Sequence, residues 1–249
     1  MISTTTFDTN RAVQEFAVTI PNAAKVFENY GIDYCCNGKE SLAKACSNVG
    51  VNLSEVCDAL GKYSVLETKE FIDWDQKKLS QLIDYILNKH HIFTKTELER
   101  LNNLLSKVCN AHEKNHPELI KIKDLFSFLS QDLTTHLTKE EEVLFPYIIE
   151  LETAVSQREP IPYSCFGSVK NPVQMMMYEH DQVGDLLREL HSLSDGYTTP
   201  SDGCASYSVL YSGLKELELD LHKHIHLENN ILFPKAVELE KAFCSTLSA

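Results

Sequence analysis

The sequence predicts an all-α protein: a four-helix bundle preceded by a small helical N-terminal domain. Three observations carry this. Only nine Gly and eight Pro are spread over 249 residues rich in Leu, Glu and Lys, a composition that favours helix throughout. From Trp74 onward, apolar residues recur at three- and four-residue spacing in four long stretches, each marking one buried helical face. The second and fourth of these stretches repeat one another, so the bundle reads as two copies of a helix pair.

The first stretch, about 75–110, carries the stripe Ile83, Leu87, His91, Thr94, Leu98, Leu101 and Leu105. The second, about 118–151, carries Leu125, Leu129, Leu133, His136, Glu140, Leu144 and Tyr147. The third, about 172–193, carries Val173, Met176, His180, Val183, Leu187 and Leu190. The fourth, about 206–242, carries Leu210, Leu214, Leu217, Leu221, His224, Glu228 and Ile231. Pro117 suits an early helical position in the turn between the first two, and 194–206 reads as a polar loop. Residues 153–171 read as a loop of unusual length. Ahead of the bundle lie short helices, one opened by Pro21 and closed by Gly31. Ser64–Asp73 reads as the connection, giving domains of 1–65 and 74–245.

Charge and apolar patterning exclude several classes. The formal net charge is −13, which repels phosphate backbones and argues against nucleic acid as a partner. No apolar run approaches the ~18 residues of a spanning helix, so no membrane is expected. The segment MISTTTFDTNRAVQEF lacks the apolar core of a signal peptide, and a cytoplasmic protein is expected. The eight Cys form no regular framework, as in a reducing compartment.

The chemistry sits in the repeat. HLTKEEEVLFPYIIELE begins at His136 and HIHLENNILFPKAVELE at His224. Both read His-x3-Glu followed by Leu-Phe-Pro and Glu-Leu-Glu, and each has another stripe histidine upstream, His91 and His180. Residues four apart lie one turn up the same helical face, so His136 with Glu140, and His224 with Glu228, can each converge on one point. Unpaired carboxylates and imidazoles in an apolar stripe would cost several kcal/mol, roughly, and a cation removes that penalty. Four His and two Glu from four helices suit a pair of metal ions, each taking two imidazoles with the carboxylates bridging. A nitrogen and oxygen set without thiolate fits iron, with zinc and manganese as competitors.

Other groups receive blander readings. His222 and His226 lie about 200° around the helix from His224 and are expected in solvent. Glu141 and Glu142 are read likewise, and His90 as peripheral. His112 either approaches a metal or caps its helix end. Glu179 is read as an outer support or proton relay for the site, against a plain surface carboxylate, and Asp132 as a group orienting a ligand histidine.

The His-x3-Glu and LFP repeats resemble the hemerythrin-like domain. The segment YGIDYCCNGKESLAKAC resembles the Cys-Cys segment of the Repair of Iron Centers family, also called ScdA-type di-iron proteins. The two segments cover almost the whole chain, in the family's order. The resemblance implies an oxo- and carboxylate-bridged centre of two iron ions held by His91, His136, Glu140, His180, His224 and Glu228, with His112 a candidate supplement. Lys95-Thr96-Glu97 departs from relatives without an evident effect on the metal.

The resemblance also implies a stress-response protein that repairs iron–sulfur clusters damaged by oxidative or nitrosative stress, with iron–sulfur proteins as its clients, and a homodimer. Iron donation is the favoured mode. Reduction of nitric oxide at the di-iron centre, which would make the chain an enzyme, and reversible O2 or NO binding as a sensor or carrier remain open beside it. Cys35 and Cys36 are read as two reduced thiols with a redox, nitrosyl or iron-relay role, against two small buried hydrophobes. At the start of the SLAKAC helix, the helix dipole would make them nucleophilic.

Overall fold

The computed structural model describes residues 7–64 and 72–247. Residues 65–71, most of the expected connection, lie outside them. The described residues are helical, with a single isolated bridge between Ala12 and Ser41. None of their helices is long and apolar enough to cross a membrane. The chain divides into two compact units: Leu79–Leu221 with Lys235–Ala249, and Met1–Lys78 with His222–Pro234.

Four rods follow one another along the chain from Leu79. The first runs through α5 (Leu79–Tyr85), a π-turn (Ile86–His91) and α6 (Ile92–His112). The second runs through α7 (Glu118–Lys139), a π-turn (Glu140–Leu144) and α8 (Phe145–Gln157). The third is α9 (Lys170–Leu193), unbroken. The fourth runs through α10 (Ala205–Leu227), a π-turn (Glu228–Leu232) and α11 (Phe233–Leu247). Within the larger unit α6 packs on α7, α7 on α9, and α5 on α8.

The stripes predicted on the third and fourth rods are buried as read. On the first rod the π-turn adds one residue to a helical turn, and the stripe slips: Ile86 and His90 are buried while Leu87 is only half-buried. Leu125 is likewise half-buried, with Phe126 taking the core position. Pro146 and Pro234 each stand second in the helix that follows a π-turn. A proline inside a helix lacks the N–H for the bond four residues back, and the π-turn resets the ladder just there. Gly213 lets α10 approach α6, because a Cβ at that position would sit 2.7 Å from the Leu101 side chain.

Polar side chains tie the rods' ends. Glu152 accepts from the amides of Leu79 and Ser80 at 2.6 and 3.1 Å and so caps α5 from another rod. The loop expected over 153–171 is shorter than read, because α8 persists to Gln157 and closes on Arg158 in the left-handed region (φ 60°). Buried Glu240 then gathers its far end, accepting from Tyr147 Oη at 2.8 Å, Ser168 Oγ at 2.6 Å and the Val169 amide at 3.0 Å.

The smaller unit packs α1 (Val13–Thr19), α2 (Ala23–Tyr30), α3 (Leu42–Val49) and α4 (Leu53–Ser64) around Phe16, Phe27, Tyr34, Leu42, Val56 and Leu60. Gly31 ends α2 in the left-handed conformation (φ 66°), as read from the sequence. Gly38, in the CCNG run, is required by a close approach: a Cβ there would lie 2.5 Å from the Tyr34 carbonyl oxygen. Tyr34 is buried with its hydroxyl on Glu28 at 2.9 Å and its ring edge-on to His226.

Replacing Glu240 strands a buried tyrosine hydroxyl and a backbone amide. Glu240→Ala is expected to destabilise the bundle by about 2–3 kcal/mol, read as a lowered midpoint in denaturant unfolding.

Candidate metal centre

Seven acids and imidazoles lie deep among the rods. His91, His136, Glu140, His180, His224 and Glu228 are each at most 3% exposed, and Glu140 and Glu228 are fully buried. The residues 222–234 continue α10 and α11 without a break, so His224 and Glu228 stand on the same rod as Leu221. The seventh, His90, is a correction: read as peripheral, it is 2% exposed, with Nδ1 at 3.0 Å from Asp220. The π-turn rotates both His90 and His91 inward.

Two overlapping groups emerge. Ligand atoms of His91, Glu140, His224 and Glu228 all lie within 4.8 Å of one another, and so do those of His136, Glu140, His180 and Glu228. Glu140 and Glu228 belong to both. Three π-turns bracket these positions: one ends on His91, and two begin on Glu140 and Glu228. Such turns redirect side chains that a regular helix would aim elsewhere.

The hydrogen bonds fix which imidazole atoms face inward. Glu141 accepts from His91 Nδ1 at 2.8 Å and Glu179 from His136 Nδ1 at 2.8 Å. With Nδ1 carrying the proton, each Nε2 presents a lone pair. Those lone pairs face an acceptor: His91 Nε2 lies 3.5 Å from Glu140 Oε2, and His136 Nε2 lies 3.3 Å from Glu140 Oε1. Neither oxygen of Glu140 has a hydrogen-bond donor among the described residues. A fully buried carboxylate ringed by lone pairs is electrostatically complete only with a cation among them. His136 and His180 also bring their Nε2 atoms to 3.0 Å, the edge that two imidazoles span on one octahedral ion at metal–nitrogen distances of about 2.1 Å. The donors present therefore fit metal ions.

Outer carboxylates brace the imidazoles, and lysines brace the carboxylates. Lys139 holds Glu179 at 2.5 Å, and Lys95 holds Glu141 at 2.7 Å. The hydrogen bond from His136 lowers the Glu179 carboxyl to about 2, with Lys139 adding to it against the opposing effect of burial. For Glu141, burial opposes ionisation, but hydrogen bonds from Lys95 and His91 outweigh it and lower its pKa. Glu141 lies about 140° around a regular helix from His136, which predicts a solvated side chain. It acts on the neighbouring rod's His91 instead, and the Lys95 of the departing motif is what holds it. Asp132 lines a cavity of about 170 Å³ beside His136 together with Lys139 and Glu179, but the His136 Nδ1 it was expected to orient is taken by Glu179.

The two repeats are unlike in these supports. Asn229 follows Glu228 where Glu141 follows Glu140, and its amide donates to the Cys35 carbonyl at 3.4 Å. His226, expected in solvent, is 7% exposed, bonded to Asn230 at 2.8 Å, and burial lowers its imidazole pKa to about 4. His222 is half-buried and edge-on to Tyr34.

Cys35 and Cys36 are reduced thiols with their sulfurs 3.7 Å apart. The helix that follows them starts at Leu42 and is capped by Ser41, so its N-terminus does not activate them. The thiol of Cys35 is pushed well up by its hydrogen bond to Cys36, by burial and by the Asp33 charge, the opposite of the expected nucleophile. His112 belongs to neither metal group. Its Nε2 lies 3.2 Å from the exposed thiol of Cys204, which that contact and the Tyr207 amide lower to about 7.

Comparison with known proteins bears on the whole chain. The model of the Hemerythrin HHE cation binding domain matches residues 82–236. The ScdA_N model, described as a domain of unknown function, matches residues 9–64. A Dickeya chrysanthemi protein named iron-sulfur cluster repair protein YtfE is 32% identical over 232 residues, covering 93% of this chain and 98% of that one. A Staphylococcus haemolyticus protein named iron-sulfur cluster repair protein ScdA is 32% identical over 230 residues, 90% and 96% of the two chains. The chain belongs to the YtfE/ScdA family of hemerythrin-like proteins. A further member, a probable iron-sulfur cluster repair protein of Haemophilus influenzae, is 34% identical over 227 residues, 90% of this chain and 96% of its own. In this YtfE/ScdA member the ScdA_N match precedes the hemerythrin match along the chain.

Two outcomes test these assignments. Alkylation of Cys204, followed by peptide mass spectrometry, is expected to rise with pH about a midpoint near 7 and to move toward 9 in His112→Ala. Glu179→Gln, which weakens the support behind His136, is expected to lower iron affinity about 10–100-fold with the helical fold retained.

Proposed function

We propose that this chain holds two iron ions in its bundle and restores damaged iron–sulfur clusters by giving up one of them. The observation that carries this is the buried Glu140 carboxylate, without a donor among the described residues and faced by imidazole nitrogens at 3.3 and 3.5 Å. The names of its relatives as iron–sulfur cluster repair proteins supply the biological direction. His91 and His224 would hold one ion, His136 and His180 the other, with Glu140 and Glu228 shared as bridges. When bound, iron supplies Lewis acidity, one-electron chemistry and the cargo itself.

The chain's own residues account for the release. Each group offers two imidazoles and two shared carboxylates, four donors where an octahedral ion takes six. The remaining positions fall to exchangeable ligands, so each ion is held less completely than in a closed protein cage. The cavity beside His136 brings solvent to that side, and Asp132 and Glu179 give it acidic groups that favour a departing cation. Glu179, anionic at neutral pH, then stabilises the protonated His136 that remains.

On this reading the clients are iron–sulfur proteins with damaged clusters, NO and O2 are the small ligands of the open positions, the compartment is the cytoplasm, and the protein works as a homodimer of chains that each carry domains 1–65 and 74–245. The test is transfer. Full-length protein loaded anaerobically with labelled iron is mixed with an apo-cluster protein. Label is expected to pass to the client with recovery of its cluster, and His136→Ala or His224→Ala protein is expected to carry and deliver less iron. Retention of both irons would overturn it, and sustained nitrous oxide production from NO with both irons kept would replace it with an enzyme.

A further inference from the structure

A second set of metal-type donors stands in the smaller unit, in the turn between α2 and α3. Ligand atoms of Asp33, Cys35 and Cys36 lie within 4.8 Å of one another. The sulfurs are 3.7 Å apart, and Cys35 Sγ is 3.4 Å from Asp33 Oδ1. At a metal–sulfur distance of about 2.3 Å, two ligands on a tetrahedral ion are separated by about 3.75 Å, and a sulfur–oxygen edge by about 3.5 Å. The thiols thus already stand at a tetrahedral edge. A disulfide is the poorer fit, because consecutive Cα atoms lie about 3.8 Å apart, closer than the range of about 4.4–6.8 Å that disulfides span.

The turn is built to keep this shape. Asp33 Oδ1 accepts from the amides of Cys35 and Cys36 at 3.1 and 2.9 Å, and Oδ2 accepts from Asn37 at 2.9 Å. Asn229 and Asn230 donate to the carbonyls of Cys35 and Tyr34 at 3.4 and 3.1 Å, fixing the turn from behind. Gly38 permits the backbone to close immediately after it.

We propose that Asp33, Cys35 and Cys36 bind one borderline divalent cation, of the Zn2+ or Fe2+ type, through two thiolates and a carboxylate with the fourth position open. Two S–H bonds break and two metal–sulfur bonds form, with two protons passing to solvent and no change of oxidation state. The charge balances as well: two thiols and one carboxylate carry one negative charge, and two thiolates, one carboxylate and a dication carry the same. Binding therefore adds no net charge to a partly buried site. Two thiolates distinguish it from the imidazole and carboxylate groups of the bundle, since sulfur favours softer cations.

The experiment titrates Co2+ anaerobically into the reduced full-length chain and follows thiolate-to-cobalt charge-transfer absorption in the near ultraviolet. The expected result is a band that saturates with one sulfur-bound ion, disappears on adding Zn2+ and is absent in Cys36→Ser. Asp33→Asn is expected to weaken it about tenfold or more, and His136→Ala to leave it in place. No charge-transfer band, a band that survives Cys36→Ser, or one lost in His136→Ala overturns the proposal. If Cys36→Ser loses helicity, X-ray absorption of Zn2+ on the wild-type chain decides: two sulfur neighbours at about 2.3 Å support it, and none overturns it. The band is independent of iron transfer, so the two readings fail separately.

Discussion

The protein's interior is organised around an electrostatic mismatch. Glu140 is wholly removed from water, and what faces it are ring nitrogens whose protons are committed elsewhere. Isolated charge at such depth is among the costliest features a fold can carry. Much of the surrounding architecture makes sense as its support. Lys95 and Lys139 fix the carboxylates that orient the imidazoles, and π-turns aim ligands from three rods toward common points. The apolar stripes above and below hold the rods together without contributing to the chemistry.

The division of labour between the fold and the ligands explains what could be read from residue order. The four rods were legible because a stripe of Leu, Val and Met at three- and four-residue spacing has few other solutions, and α9 follows it without deviation. The six buried donors were legible for the same reason, since each interrupts a stripe where an aliphatic residue belongs. The π-turns were not, because one extra residue in a turn leaves composition unchanged. Only Pro146 and Pro234, stranded within rods, hinted at them. From that omission follow the slip of Leu87 and the misplacing of His90 and Glu141, whose angles had been reckoned on a regular helix.

The reading of His226 failed for a different reason: its surroundings come from distant chain. His226 is buried against Tyr34, 192 residues earlier in the sequence. Helical angles cannot report contacts of that range. Glu179 was legible only as an alternative, because adjacency to His180 in sequence says nothing of its actual partner, His136, on another rod.

The unlike supports of the two repeats have a consequence of their own. Where one repeat has a charged brace at Glu141, the other has a neutral amide, Asn229, engaged with a backbone carbonyl. Glu179, reaching His136 from the third rod, makes up the difference, so each group of four donors keeps one imidazole backed by a carboxylate, His91 in one and His136 in the other. Unlike repeats thus yield evenly buttressed halves, and losing either carboxylate would loosen one group while sparing the backing of the other.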